Sequence, residues 1–387
     1  MADATIEAVL RQGVESGVAP GLVAAWTGPG GASGQAAMGA IGVEDPAPMQ
    51  ADTLFWIASM TKAITTAAAL QLVERGVLAL DEPVADRLPE LAEPMVLTGF
   101  DAGGRPVTRP ARAPITLRRL LDHTSGLGYE FFNADLARHR AAAGPQGYSS
   151  GAPDTPLAFE PGEGWQYGIG IDWAGNLIER VTGVGLADYL ADQLFEPLGM
   201  ADTTFFPDPG QTARKAAMHA RLPDGGLAPS AFAMPAEPYF SMGGGGLYST
   251  APDYLKFLSM ILAGGEAGGS RLLSRQSLAA MTTGTVSGKH VGVLRTSNAA
   301  MSSDFDPFPG MNKSWGVGFV MNDDAGPAGR SAGSLAWAGL SNCYYWADPK
   351  RGVAGVLLAQ VLPFADPRVL QVFADFERAV YQGADGA

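Results

Sequence analysis

Strand-like segments stand at both ends of this chain, and helical ones fill its middle. Gly21–Trp26 and Gln35–Ile41 read as a strand pair joined through the glycine-rich turn Gly28-Pro29-Gly30-Gly31-Ala32-Ser33-Gly34. Toward the other end, Trp315–Met321, Ser341–Trp346 and Val353–Val361 are short aromatic or β-branched runs with turn residues between them, the pattern of adjacent antiparallel strands. Between these sets the period changes. Ile64–Leu72 reads as a buried helix closed by Gly76, and from Leu117 to Phe257 helical patterns alternate with Pro/Gly-rich loops. Thr5–Val14 carries Ile6, Val9, Leu10 and Val14 on one helical stripe, and Pro367–Tyr381 is a closing amphipathic helix. A strand must find a neighbour for its backbone groups, so the two terminal sets are expected to share one antiparallel sheet around an inserted helical region. The predicted fold class is α+β. Residues 1–80 and 311–387 make the sheet domain with flanking helices, and 81–310 make a mainly helical domain with loops over the cleft. With 51 Gly and 28 Pro, 79 of 387 residues, many turns and long excursions are expected.

Composition removes several function classes. Lys+Arg number 26 against 39 Asp+Glu, a formal charge of −13, so nucleic acid and anionic membrane are not expected partners. Cys343 is the single cysteine, which excludes an internal disulfide and a cysteine-based zinc site. His123, His139, His219 and His290 are scattered without metal-ligand spacing, so no metal is expected. The first residues lack the basic start and apolar stretch of a signal peptide, and no apolar run reaches 18 residues, so a soluble, cytoplasmic protein is expected.

Three places carry possible chemistry. In Phe55-Trp56-Ile57-Ala58-Ser59-Met60-Thr61-Lys62 an apolar run stops at a serine and a helical pattern follows. Ser59 would head that helix with Lys62 at i+3 on the same face. A hydroxyl needs a base in reach to become a nucleophile, and a buried lysine can take its proton or hold a neighbouring base in the right state. By itself the spacing is common by chance and reads first as an N-cap serine with a surface lysine. Tyr167 lies between the loop Phe159-Glu160-Pro161-Gly162 and a helix with Ala174, Leu177, Ile178 and Val181 on one stripe. A nearby ammonium would make it a usable base, whereas alone it is a packed tyrosine. In Trp337-Ala338-Gly339-Leu340, Gly339 beside a strand lets a substrate approach the backbone. The Leu340 and Ser59 N–H groups could then hold an oxyanion. The plain alternative for Trp337 is a core residue of an edge strand.

Taken together, and in order, these blocks resemble the class C β-lactamase-like serine hydrolases, which include β-lactamases, DD-peptidases and family VIII carboxylesterases. The resemblance spans roughly Gly21 to Leu362. It also rests on Leu120-Leu121-Asp122-His123-Thr124-Ser125-Gly126-Leu127, Pro197-Leu198-Gly199-Met200, Gly243-Gly244-Gly245-Gly246-Leu247-Tyr248-Ser249-Thr250 and Trp315-Gly316-Val317-Gly318-Phe319. It implies a helical domain set against an antiparallel sheet, with nucleophile Ser59, partner Lys62, base Tyr167, and oxyanion N–H groups from Ser59 and Leu340. No cofactor is implied.

Two departures narrow the reading. Ile169 stands where the family commonly has Asn, and Trp337 stands where the lactamases have a carboxylate-binding lysine. The Trp-x-Gly form looks like the family VIII esterases, with Trp337 and Gly339 on the substrate. The expected activity is a serine carboxylesterase acting on short- to medium-chain neutral esters through an acyl-enzyme on Ser59. The alternatives are a β-lactamase or DD-peptidase-like amidase and an acyltransferase on the same nucleophile. The expected partner is a small-molecule ester, and the oligomeric state is left open.

Other motifs are set aside. Gly147-Tyr148-Ser149-Ser150-Gly151 matches a nucleophile elbow but has loop sequence on both sides. His123 is expected to be a hydrogen-bonded structural residue, and Cys343 a small buried one on a strand. Gly128–Pro156 and Ala279–Pro309 are expected to act as lids that set substrate size.

Overall fold

The computed structural model describes residues 2–143, 155–234, 241–284 and 291–385. In chain order its principal elements are helix α1 (Ala2–Glu15), strands β1 (Gly21–Thr27) and β2 (Ser33–Gly39), and helices α2 (Thr61–Glu74), α3 (Gly170–Thr182) and α4 (Ala251–Leu262). Then come strands β3 (Lys313–Trp315), β4 (Val320–Asn322), β5 (Ser334–Gly339), β6 (Cys343–Asp348) and β7 (Val353–Leu358), and helix α5 (Pro367–Asp385).

Both strand sets enter one seven-stranded sheet in the order β3-β4-β5-β6-β7-β1-β2, antiparallel throughout. The seam between them is the β1–β7 pair, which sets Val23 opposite Leu358 and Thr27 opposite Ala354. Side-chain alternation then sorts the layers. Tyr344 and Trp346 point to one face and meet Phe373 and Phe376 of α5, while Tyr345 points to the other and meets Tyr254 of α4. Burial on both faces explains why β1, β6 and β7 carry apolar runs rather than an alternation. Fully burying one large apolar side chain in such a core contributes roughly 1.5–3 kcal/mol.

Helix α2 lies deep in the molecule, buried from Thr61 through Leu72, and packs on α3. Among the described residues, no helix is long and apolar enough to cross a membrane.

Three expectations change. Trp315–Met321 is not one strand, because the chain turns at Gly316–Gly318, where Gly318 holds φ +95°, a region that favours glycine. Ser334–Gly339 is a full strand that small residues of weak β propensity had hidden. Region 81–310, expected to be mainly helical, also contains an antiparallel pair, Met95–Phe100 with Pro106–Pro110.

Candidate active site

Ser59 sits half-buried in a single 3-10 turn, Ala58–Met60, that runs straight into α2. The turn is strained, since Ala58 has φ +45°, unusual for a residue with a Cβ. Neighbours hold it in place. Thr61 Oγ1 donates to the Ala58 carbonyl at 2.6 Å and accepts from Leu247 N–H at 3.2 Å, and the Tyr254 hydroxyl donates to Met60 O at 2.9 Å.

Lys62 follows one turn later and is fully buried. An uncompensated ammonium there would be prohibitively costly. Its Nζ faces three acceptors: Ser59 Oγ at 3.3 Å, the Tyr129 hydroxyl at 3.0 Å and the Gly244 carbonyl at 2.6 Å. A carboxylate, Asp172, stands behind two of these partners. Asp172 Oδ1 accepts from Gly244 N–H at 3.0 Å, and its Oδ2 accepts from the Tyr129 hydroxyl at 3.4 Å. Burial raises the Asp172 carboxyl pKa, and the Lys62 charge and the Gly244 N–H oppose that rise. A Cβ on Gly244 would overlap the Asp172 carboxylate and push it off these hydrogen bonds.

Tyr167 enters from the segment just before α3. Its hydroxyl accepts the Trp337 indole N–H at 3.1 Å, and Lys62 Nζ lies 4.8 Å from its ring centre. The ammonium therefore lies against the phenol ring, and its hydrogen bonds go to Ser59, Tyr129 and Gly244. Trp337 itself is only 5% exposed, on β5. Leu340 opens the turn between β5 and β6. That turn is closed by Asn342 N–H donating to Gly339 O at 3.0 Å, with Asn342 at φ +61°. A Cβ on Gly339 would collide with the Ile57 carbonyl oxygen, so glycine lets the end of β5 press against the segment carrying Ser59. Gly339 and Ile57, far apart in sequence, thus meet through main-chain contact, one residue before Leu340 and two before Ser59.

A half-buried serine beside a buried lysine is the arrangement found here, and comparison of the whole chain with known proteins gives its family. The family model described as Beta-lactamase matches residues 6–379. The chain belongs to the beta-lactamase family. Within that family it is 33% identical over 354 residues to the lovastatin esterase of Penicillium rubens, covering 87% of this chain and 86% of that one. It is 34% identical over 358 residues to the monacolin J acid methylbutanoyltransferase of Aspergillus terreus, covering 86% and 83%. Among solved structures, the LovD6 mutant of simvastatin synthase from Aspergillus terreus superposes with a TM-score of 0.87 at 32% identity, over 100% of this chain and 98% of that one. EstCE1, titled a hydrolase with promiscuous acyltransferase activity, shares the fold with a TM-score of 0.76 at 22% identity, over 98% of each chain. The chain is a beta-lactamase-fold enzyme of the serine hydrolase and acyltransferase class.

The structure thus brings Lys62 to Ser59, Trp337 to Tyr167, and the Gly339–Leu340 corner to the serine turn. Sequence reasoning missed Tyr129 and Asp172. Tyr129 stands two residues past the block that ends at Leu127. Asp172 is a lone acid in the apolar stretch Ile171–Ala174, a pattern that signals a buried partner. His123 departs from expectation. It is buried at φ +61°, but among the described residues neither ring nitrogen has a hydrogen-bond partner. It sits edge-on to Tyr167 at 4.8 Å and Trp315 at 4.9 Å instead. Burial, then the Lys62 charge, pushes its pKa well below 6.5, so the imidazole is neutral. Cys343 is buried on β6 with its thiol pushed up to about 11 by burial, hence inert. Ser149 and His290 lie outside the described residues, as do parts of both expected lids.

Proposed function

We propose that this enzyme is a carboxylesterase that carries the acyl group of short- to medium-chain neutral esters on Ser59. The observation that supports it most directly is the 3.3 Å contact of Lys62 with Ser59, in a site where Trp337 fixes the Tyr167 hydroxyl. Ser59 Oγ attacks the ester carbonyl carbon, and its proton passes to the Tyr167–Lys62 pair. The Ser59 and Leu340 N–H groups hold the oxyanion, each such donor typically worth about 2.7–4 kcal/mol in the transition state. Collapse breaks the bond to the alcohol, which leaves with that proton. Water then repeats the sequence and frees the acid and Ser59.

Trp337 argues against a lactam or peptide substrate. An indole has one N–H, and here it is given to Tyr167, so none remains for a substrate carboxylate. Losing a charge-assisted hydrogen bond weakens recognition of an anion by roughly 1.5–3 kcal/mol. Acyl transfer to an alcohol is the second reading, favoured by the identity to the methylbutanoyltransferase. A small neutral ester is the partner this reading takes, with nucleic acid and membrane outside it.

The test is turnover of p-nitrophenyl butyrate and of nitrocefin, with and without an acceptor alcohol. The butyrate ester should be turned over far faster, and Ser59→Ala should abolish the reaction while Ser149→Ala leaves it nearly intact. Equal nitrocefin turnover would defeat the esterase reading. Transfer product exceeding free acid would promote the second one.

A further inference from the structure

We propose that Ser341 and Gln360 are positioning residues: a buried clasp on the Trp56 carbonyl that sets the spacing between the Ser59 and Leu340 amides. The proposal rests on reading those two amides as the oxyanion donors. Trp56 lies three residues before Ser59, and Ser341 directly follows Leu340. The Ser341 hydroxyl donates to Trp56 O at 2.8 Å, and Gln360 Nε2 donates to the same oxygen at 2.9 Å. A carbonyl oxygen has two lone pairs, so both are engaged. Gln360 Nε2 also reaches Ala359 O at 2.9 Å and Ser341 Oγ at 3.2 Å. Ser341 is 0% and Gln360 5% exposed.

The far side of the turn is fastened as firmly. Asn342 Nδ2 donates to Val361 O and Pro363 O, each at 2.8 Å. Its Oδ1 accepts from the Tyr344 hydroxyl at 2.7 Å and Asp366 N–H at 3.0 Å. The Leu340 amide is thus held by Asn342 on one side and tied by Ser341 to the serine segment on the other. The contact of Gly339 with Ile57 fixes how closely the segments approach, and the clasp fixes how they slide. Packing alone needs no hydroxyl or amide here. Burying polar groups is unfavourable unless they are fully paired, and this set is paired onto the one carbonyl that leads to the nucleophile. Oxyanion stabilisation depends on donors already in place before charge develops, so slack of a fraction of an ångström weakens it.

Ser341→Ala, Gln360→Met and Ser59→Ala would be compared in the full chain by ester kinetics, thermal melting and affinity for an alkyl boronic acid, whose tetrahedral adduct places an oxygen in the hole. Ser341→Ala is expected to lower kcat by about ten- to a hundredfold with KM within about twofold, and to weaken the boronic acid by a similar factor. Gln360→Met should move both in the same direction, and it carries the test alone if the serine variant does not fold. Unchanged kcat and boronic-acid affinity alongside a lowered melting temperature would overturn the clasp, leaving a purely structural cluster. That failure is separable from failure of the parent reading, in which Ser59→Ala would retain turnover.

Discussion

Lys62 Nζ is held from three sides, by Ser59 Oγ, the Tyr129 hydroxyl and the Gly244 carbonyl. On the proposed reading Lys62 holds Ser59 Oγ and lies against the Tyr167 ring, and the two residues move the proton together. If they act as one unit, Lys62→Ala and Tyr167→Phe should each lower kcat far more than they raise KM, and the double variant should lose little more than the worse single. Fully multiplicative losses in steady-state assays would separate their roles. Trp337→Phe tests the neighbouring link. It keeps an aromatic face and removes the N–H to Tyr167, a neutral hydrogen bond worth about 0.5–1.5 kcal/mol net, so kcat should fall about two- to tenfold. A change in KM alone would instead mark Trp337 as a substrate contact. The serine–lysine spacing was legible in the sequence because one helical turn sets it. The Trp337–Tyr167 bond was not, because only the fold brings those two segments together.

Glu160 shows how elements are tied together around the site. It belongs to a loop before Tyr167, yet it accepts from the Ala113 N–H at 2.7 Å and pairs with Arg109 at 2.5 Å, at the end of the Pro106–Pro110 strand. Burial alone would raise its carboxyl. Arg109 and the Ala113 and Arg112 N–H groups overcome that and hold it at about 2, below the ordinary 4.5. A carboxyl lowered in the folded state contributes stability that is fully present above about pH 4.5 and is lost as pH falls toward 2. Glu160→Gln should therefore lower the melting temperature at neutral pH and flatten its decline between pH 5 and 2. An unchanged acid limb would remove Glu160 from the account. At this scale the sequence read well where a clear stripe or an unbroken apolar run marked the element, as in α5, β1 and α2. It read poorly at β5, whose Ser, Ala and Gly residues are buried by their neighbours rather than by their own hydrophobicity, and at the proline-bounded pair from Met95 to Pro110.

At the scale of the whole molecule, every part of the site depends on the β1–β7 seam, because it fixes the sheet whose β5 end meets the serine turn. Strand β1 is buried along its full length and lies between β2 and β7, so it has no free edge in the finished enzyme. On the ribosome the matter is different. The β1–β2 hairpin, complete at Gly39, emerges long before its partner strand, which begins at Val353. At about 5–20 residues per second, that edge waits on the order of tens of seconds, apolar and unpaired. A chain ended after Asp348 should thus accumulate as insoluble aggregate, and the full chain should depend on a holdase chaperone during synthesis. Soluble, monomeric product from the shortened chain, measured by fractionation, would refute this. Activity should then appear only after the strand that begins at Val353 has been translated and paired with β1.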